Sequence, residues 1–180
     1  MAPVAASVHR LSVEDVYKMA EVGLLDEYDR VELVEGVLVD LAPIGAEHDG
    51  ATAWLSNHFA GVPTGVWRVR VHSMLLVAGG YLLPDLTLVA PLARSEQPAT
   101  AHLVVEVAQT SQARDADKAR DYAAADVPEY WIVDLLSRVV IVHRHPLAGA
   151  YQEVTTFADG ATAKPLLAHA PAVDVSALLG

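Results

Sequence analysis

The sequence predicts an α/β fold in which a mixed β-sheet is flanked by α-helices, with a helix and a β-hairpin at the N-terminal end. Segments with helical periodicity are interspersed with segments of strand-like alternation. One run, Leu103–Ala108, is apolar except for a single residue, which is typical of a strand buried on both faces. The chain has 180 residues, 53% hydrophobic and 19% charged, which suffices for a full core. We therefore expect one domain over residues 1–180.

The N-terminal part is predicted to form a helix and then a hairpin. Ser12 and Asp15 have the spacing of a capping box, so a helix follows Ser12 and ends near Gly23. Apolar and polar residues then alternate over Val31–Leu41 on both sides of Glu35-Gly36. This pattern predicts two strands joined by a turn at that dipeptide.

The middle of the chain is predicted to contain a helix followed by one long strand. The helix is indicated by a stripe of residues spaced three or four apart: His48, Ala51, Leu55 and Phe59. Apolar and polar residues alternate from Trp67 to Val77, which predicts a single strand. One face of that strand carries Arg68, Arg70 and His72, which form either a phosphate-contacting patch or a plain solvent-facing surface.

The rest of the chain is predicted as strands around a third helix. A strand follows Pro84-Asp85, and the polar loop Pro91–Thr100 separates it from the strand Leu103–Ala108. The third helix runs from about Asp115 to Ala125. The remaining elements are two strands joined by a short turn, an edge strand and a last helical turn: Tyr130–Asp134, Arg138–His143, Tyr151–Phe157 and Val175–Leu179.

Composition and charge exclude several classes of site. The chain has no cysteine, which removes disulfides, thiolate zinc sites and cysteine nucleophiles. A net charge of -11 argues against general affinity for nucleic acid, so DNA binding requires a local cationic patch. Met1–Arg10 lacks the features of a signal peptide, and the apolar stretch Met74–Leu83 is too short to span a bilayer. We expect a cytoplasmic protein without membrane contact.

Glu106 stands out because it lies within the apolar run Leu103–Ala108. A carboxylate buried without a partner costs several kcal/mol, so Glu106 is expected to have a cationic partner or a metal ion. Asp85 begins the preceding strand. Two carboxylates on neighbouring strands raise each other's pKa, and a divalent cation such as Mg2+ reverses that penalty. Asp85 taken alone is equally typical of a residue that only marks the start of a strand.

Further residues are candidates for the same site. Lys118 on the third helix can position a hydroxide or offset charge on a pentacoordinate phosphorus, although its charged neighbours are also typical of a solvated helix face. Glu32 is a candidate third carboxylate and is favoured over Glu35, because Glu35-Gly36 is expected to form the exposed turn. His48 begins the second helix, where a histidine satisfied in the core or at the helix end is the simpler interpretation.

These motifs together resemble the Uma-two family of predicted restriction endonucleases, within the PD-(D/E)XK nuclease superfamily. The resemblance extends through most of the chain, and each matching segment is short. The matching segments are Val31–Gly36, His48, Pro84-Asp85, Leu103–Val107, Lys118 with Tyr122, Val127–Asp134, and the tail from Pro165 to Leu179.

The resemblance implies a restriction-endonuclease-like core in which Asp85 and Glu106 bind Mg2+, with Mn2+ able to substitute. It also implies that Glu32 assists and that Lys118 supplies the catalytic cation. The superfamily pattern places its lysine two residues after the acid, where this chain has Ala108, so the lysine is expected to have migrated to the following helix.

We expect additional roles for residues around this centre. The Val107 carbonyl is a candidate further metal ligand, and Tyr122 is expected to pack beneath Lys118. His48, Tyr122 and Gln109 are accessory candidates. Relatives usually carry serine where this chain has Gln109 or Thr110.

The leading hypothesis is therefore a magnesium-dependent DNA endonuclease that hydrolyses phosphodiester bonds. A homodimer suits such an enzyme, because cutting two strands matches a two-fold assembly. The first alternative is a catalytically silent binding or regulatory module on the same fold, which the acidic charge supports. The second is a metal-dependent hydrolase of smaller phosphoesters.

Overall fold

The elements follow the predicted order, with additional short strands. The computed structural model describes residues 8–26, 28–62, 65–109 and 112–180, with the backbone alone for residues 112–116. The helices are α1 Val13–Glu21, α2 Ala46–Ala60, α3 Gln112–Ala124 and α4 Val175–Leu179. The strands are β1 Val31–Val34, β2 Val37–Asp40, β3 Arg68–Val71, β4 Leu75–Val77, β5 Gly80–Leu82, β6 Leu86–Val89, β7 Leu103–Ala108, β8 Glu129–Asp134, β9 Val139–Leu147, β10 Ala150–Ala158, β11 Thr162–Ala163 and β12 Val173–Asp174. Thr110 lies outside the described residues.

A six-stranded sheet forms the centre of the fold, in the order β10-β9-β8-β7-β6-β3. β7 and β8 are parallel, and the other neighbouring pairs are antiparallel. All six residues of β7 are buried, as its apolar run predicts. The mixed sheet with helices packed on it confirms the predicted fold class.

The two faces of β7 meet different helices, and this determines where Glu106 points. Val105 and Val107 belong to the hydrophobic cluster that includes residues of α2. Val104 and Ala108 belong to the cluster that includes Tyr122 of α3. Because successive side chains alternate along a strand, Glu106 is directed to the side of Val104 and Ala108, towards α3.

A smaller sheet, in the order β2-β1-β5-β4, contains the predicted hairpin. The hairpin pairs Val34 with Val37, so Glu35 and Gly36 form its two-residue turn. Both turn residues have positive φ, 47° and 75°, as a tight hairpin of this type requires. Gly80 on β5 lies so close to β1 that a Cβ there would be 1.8 Å from the Leu33 carbonyl oxygen. Glycine is therefore required where the two strands pair.

The predicted single strand from Trp67 to Val77 is wrong. The chain leaves the six-stranded sheet after β3 and enters the smaller sheet at β4, so the segment forms two strands in different sheets. The break falls at His72, whose φ is 46°. His72 therefore does not share a strand face with Arg68 and Arg70. The alternating pattern runs on through the break because each half of the segment is a strand whose apolar residues pack against a hydrophobic cluster.

Local signals fixed several element ends. The Asp15 N–H donates to Ser12 Oγ at 3.2 Å, and the Ser12 N–H donates to Asp15 Oδ2 at 2.9 Å, so the capping box is present. α3 begins at Gln112, three residues before the predicted start at Asp115. The Ala177 N–H donates to Asp174 Oδ1, which caps the predicted last helix, α4. Within the described ranges, none of the helices combines the length and apolar character needed to cross a bilayer.

Candidate functional site

Glu106 has both a cationic and a hydroxyl partner. It is buried in the middle of β7, directed towards α3. Lys118 Nζ donates to Glu106 Oε1 at 2.9 Å, and Tyr122 Oη donates to the same oxygen at 2.6 Å. Lys118 and Tyr122 are four residues apart, which places them on one face of α3. The second oxygen, Oε2, accepts no hydrogen bond from the part of the chain that the structure describes.

Glu32 is the hairpin carboxylate that reaches this site. It is fully buried on β1, and its Oε1 accepts a hydrogen bond from Lys118 Nζ at 2.9 Å. The same oxygen accepts the Leu83 N–H at 3.0 Å, just after β5. Glu35 is exposed at the hairpin turn. Lys118 therefore bridges two buried carboxylates, from β1 and from β7.

Asp85 lies immediately before β6 and is held by three groups. Its Oδ2 accepts the Val107 N–H at 2.8 Å, which ties it to β7 one residue beyond Glu106. His48 Nε2 lies 3.0 Å from Oδ2, and His72 Nε2 lies 3.3 Å from Oδ1. Asp85 is only 6% exposed, so its carboxylate interacts mainly with these three groups rather than with water.

The pKa values of the two acids shift in opposite directions. Burial raises the pKa of Glu106 to about 7; Lys118 opposes this rise, and the charge of Asp85 adds to it. Burial also acts on Asp85, but the imidazoles of His48 and His72 outweigh it and hold the pKa of Asp85 well below its usual range. Two nearby carboxyls with separated pKa values are typical of sites that bind cations or transfer protons.

The basic groups remain charged over a wider range than usual. Burial acts to lower the pKa of Lys118, but the charges of Glu106 and Glu32 outweigh it and raise that pKa. Burial likewise acts to lower the pKa of His48, and contact with Asp85 raises it overall. The ammonium of Lys118 is therefore a permanent positive charge inside the site.

Asp85, Glu106 and Lys118 open onto one cleft of about 160 Å3. His48, Gly45 and Arg30 also line it. Glu32 is connected to the cleft through two of its lining residues, Lys118 and Leu83.

Gln109 also lines this cleft. Its Nε2 donates to Glu47 Oε2 at 3.0 Å. A Cβ at Gly45 would lie 3.0 Å from the Gln109 Oε1, so glycine leaves room for this side chain.

The donor atoms in the cleft fit a divalent cation. Asp85 is ionised, and Glu106 offers Oε2, which accepts no hydrogen bond in the described structure. The two imidazoles add nitrogen donors: one ligand atom each of His48, His72 and Asp85 lies within 4.8 Å of the other two. Oxygen and imidazole donors that converge at and beside a small cleft suit a divalent metal ion.

Most of the predicted site residues come together. The residues that meet at or beside the cleft are Asp85, Glu106, Lys118, Glu32, His48, Tyr122 and Gln109. Val107 also lines the cleft, where its N–H binds Asp85; a metal-binding role for its carbonyl remains a prediction.

Two residues of the site were missed. The alternating sequence pattern puts His72 on a regular strand face, whereas in the structure it reaches Asp85 from the break after β3. Arg30, just before β1, lines the cleft and was not singled out. Neither residue lies in a local pattern that would have revealed its role.

The fold and this cleft define a mixed α/β protein whose cleft contains two carboxylates and a lysine. The fold is similar to that of a crystal structure described as "a putative nuclease belonging to DUF820" from Anabaena variabilis, with a TM-score of 0.74. The two sequences are 16% identical, and the similarity covers 88% of this chain and 94% of the other. At that identity the likeness concerns the fold alone.

The family follows from a second comparison. The profile of the Uma2 family, described as "Putative restriction endonuclease", matches residues 13–176. The chain therefore belongs to the Uma2 family. Comparison with curated protein sequences finds no match.

Proposed function

We propose that this protein is a metal-dependent DNA endonuclease that binds Mg2+, or Mn2+ in its place, between Asp85 and Glu106. Membership of a family described as restriction endonucleases supports nuclease activity. The observation that carries the proposal is the arrangement around Glu106. A carboxylate buried in the central strand opens onto the same cleft as Asp85 and has a lysine ammonium 2.9 Å away.

A bound divalent ion would polarise the phosphoryl oxygens and lower the pKa of a coordinated water. The protein's own groups prepare the site for it. The Val107 N–H and the two histidines orient Asp85. Lys118 and Tyr122 fix Glu106 through one oxygen and leave the other towards the cleft. This orientation is set before substrate arrives, so little reorganisation is required on binding.

The lysine of the superfamily pattern is proposed to have migrated to α3 as Lys118. A residue at the position of Ala108 shares the strand face of Glu106, because side chains two apart lie on one side. Lys118 approaches that same side from the helix and contacts Glu106 directly. Its proposed role is to stabilise negative charge on the phosphate under attack.

Glu32 is proposed to position Lys118. It is fully buried, holds the ammonium at 2.9 Å and is itself oriented by the Leu83 N–H. A second carboxylate keeps the lysine charged and fixed in one orientation while Glu106 engages a metal ion. This role differs from direct ligation of the ion and is proposed because Glu32 holds the Lys118 ammonium.

DNA is proposed to approach through local positive charge, since the net charge is -11. Arg30 lines the cleft and supplies positive charge where a phosphate would enter. The acidic net charge favours a second candidate, a binding or regulatory module that has kept the nuclease fold without cleavage.

Cleavage of plasmid DNA separates these candidates. The wild type is expected to cut in the presence of Mg2+ or Mn2+ and not in excess chelator. Asp85→Asn and Glu106→Gln are each expected to abolish cutting while circular dichroism shows an intact fold. Equal cutting by all three proteins would reject the proposed site. DNA binding without cutting under any metal would favour the second candidate.

Three further expectations remain predictions. The chain is proposed to fold as one domain over residues 1–180, which limited proteolysis would test. A homodimer is predicted from two-strand cutting alone, and light scattering would test it. Cytoplasmic location also remains a prediction, and cell fractionation would test it.

A further inference from the structure

Three donor groups from separate elements converge beside the cleft, two of them, His48 and Asp85, among its lining residues. His48 Nε2 lies 3.0 Å from Asp85 Oδ2, and His72 Nε2 lies 3.3 Å from Asp85 Oδ1. One ligand atom from each of the three residues lies within 4.8 Å of the other two. The two imidazole rings are nearly parallel, at 24°, with their centroids 6.4 Å apart. Each of the two imidazoles approaches a different oxygen of the Asp85 carboxylate.

The backbone is shaped to bring His72 there. The chain breaks between β3 and β4 at His72, which has a φ of 46°, a left-handed conformation that is uncommon for residues other than glycine. The His72 N–H donates to the Asp85 carbonyl at 3.2 Å, so the two residues are joined through both backbone and side chain. Strained backbone conformations concentrate at functional sites, where the surrounding structure holds them.

The hydrogen bonding of His72 is incomplete. Its Nε2 is buried and has no hydrogen-bond partner among the described residues, although Asp85 Oδ1 lies 3.3 Å away. A buried polar atom normally finds a partner. A cation bound to this nitrogen would provide one.

The spacing of the donors also fits an ion. Metal–nitrogen and metal–oxygen bonds to small divalent ions are about 2.1 Å, so two ligands at right angles lie about 3.0 Å apart. The two histidine–aspartate distances, 3.0 and 3.3 Å, are close to that separation. Nitrogen donors also discriminate between ions. Mg2+ prefers oxygen ligands, whereas imidazole suits the divalent transition metals.

We propose that His48, His72 and Asp85 together bind a divalent transition metal ion, and that the site prefers such an ion to Mg2+. The proposal deepens the function given above and rests on it for the use of the ion in cleavage, because Asp85 is a ligand in both. His48 and His72 would be direct ligands rather than groups that only hold Asp85. The chain has no cysteine, so imidazole is the donor that sets the preference.

Metal binding to the full-length apoprotein tests the proposal without reference to cleavage. Calorimetric titration with Co2+, Mn2+ and Mg2+ gives the three affinities, and the visible absorption of Co2+ reports its ligands. The wild type is expected to bind Co2+ at least about tenfold more tightly than Mg2+. His48→Gln and His72→Asn are each expected to weaken Co2+ binding at least about tenfold and to change its spectrum. Asparagine is chosen at position 72 because it tolerates positive φ.

Two histidines provide matched controls. His58→Gln changes the same helix as His48, and His145→Asn changes another histidine with positive φ, 59°. Both controls are expected to bind Co2+ as the wild type does. If the site variants unfold, pulsed electron paramagnetic resonance of Mn2+ bound to the wild type, with and without 15N-histidine labelling, shows directly whether imidazole nitrogen is coordinated.

The outcomes separate this proposal from the endonuclease proposal. Mg2+ binding as tight as Co2+ binding, or Co2+ binding unchanged in both site variants, would overturn the transition-metal site. An absence of nitrogen coupling to Mn2+ would overturn it as well. Co2+ binding that depends on both histidines, in a protein that cuts no DNA with any ion, would uphold the site and contradict the endonuclease. Mg2+-dependent cutting that both substitutions leave unchanged would uphold the endonuclease and contradict the transition-metal site.

Discussion

Lys118 and Glu106 belong to different elements, yet Nζ of one lies 2.9 Å from Oε1 of the other. Twelve residues separate them in the chain, and α3 folds back over the end of β7 to bring them together. A second carboxylate, Glu32, contacts the same ammonium at 2.9 Å. The pair therefore belongs to a buried network in which one lysine offsets two acids.

Lys118→Met is expected to abolish cutting without a matching loss of metal affinity. Methionine retains much of the volume of lysine but leaves the two carboxylates without their cation. Removing one partner of a buried ion pair costs about 3–5 kcal/mol of stability. The cleavage rate is expected to fall at least about 100-fold, because charge stabilisation at the phosphate is lost. Rate measurements at saturating metal, alongside calorimetry, separate the two effects.

Arg120→Met serves as the control for that substitution, since Arg120 is exposed on the same helix. It is expected to leave both rate and stability close to those of the wild type. Loss of metal affinity alone in Lys118→Met, with the rate at saturation unchanged, would show that Lys118 does not act on the phosphate.

Glu106 is expected to make the metal-free protein less stable as pH rises. Its pKa is raised to about 7, so the folded state binds a proton on Glu106 more tightly than the unfolded state does. The contribution of Glu106 to the free energy of unfolding is complete below the ordinary glutamate pKa, near 4.3. It is lost as the pH rises to about 7. The slope is at most about 1.4 kcal/mol per pH unit.

Urea denaturation between pH 5 and 8, with chelator present, measures this slope in the wild type and in Glu106→Gln. The glutamine variant lacks the titrating group, so its free energy of unfolding is expected to fall less across that range. His48 also contributes in the wild type, because its raised pKa favours the folded state at lower pH. The comparison removes the part of that contribution that comes from Asp85, which both proteins retain; Glu106 also raises the pKa of His48, so this smaller part disappears in the variant together with Glu106. Parallel slopes would contradict the raised pKa of Glu106.

Glu32→Gln and Glu35→Gln distinguish the two hairpin acids. Glu32 is buried and binds Lys118, whereas Glu35 is exposed at the turn. The first substitution is expected to destabilise the protein by at least about 1 kcal/mol and to reduce cleavage. The second is expected to change neither, because the Glu35 side chain is exposed. Thermal denaturation and cleavage assays on both variants make the test, and a larger effect at Glu35 would reverse the assignment.

Gly80→Ala is expected to damage the site from a distance. A Cβ at this position would lie 1.8 Å from the Leu33 carbonyl oxygen, so β5 must move away from β1. That movement also displaces the Leu83 N–H from Glu32. We expect a loss of at least about 2 kcal/mol, measured by denaturant unfolding.

Gly50→Ala is the matched control for the added methyl group. Gly50 lies within α2, and a Cβ there would have no described atom within 4 Å other than its chain neighbours and the adjacent backbone of its own helix. Alanine there is expected to stabilise the protein by about 0.5–1 kcal/mol, because it favours the helix. Similar destabilisation by both substitutions would mean that the contact with Leu33 is not the cause.

The parts of the fold that follow from local chemistry could be predicted. The capping box at Ser12, the hairpin turn at Glu35-Gly36 and the fully buried strand with Glu106 each have a signal within a few residues. Glu106 pointed to a site because a charge in an apolar strand requires compensation. The family resemblance supplied Asp85 and Lys118, which local signals alone left ambiguous.

The parts that depend on long-range packing could not be predicted. The break at His72 has no glycine or proline to mark it, and the alternating pattern continues across it. The approach of His72 to Asp85 results from the passage of the chain from one sheet to the other. Arg30 reaches the cleft for a similar reason, through the placement of β1 beside β5.

The most direct test of the central claim is a crystal soaked in Mn2+, with anomalous scattering used to locate the ion. We expect one strong peak within bonding distance of carboxylate oxygens of both Asp85 and Glu106, with Lys118 Nζ nearby. A peak that contacts only one of the two acids, or none in this cleft, would contradict it.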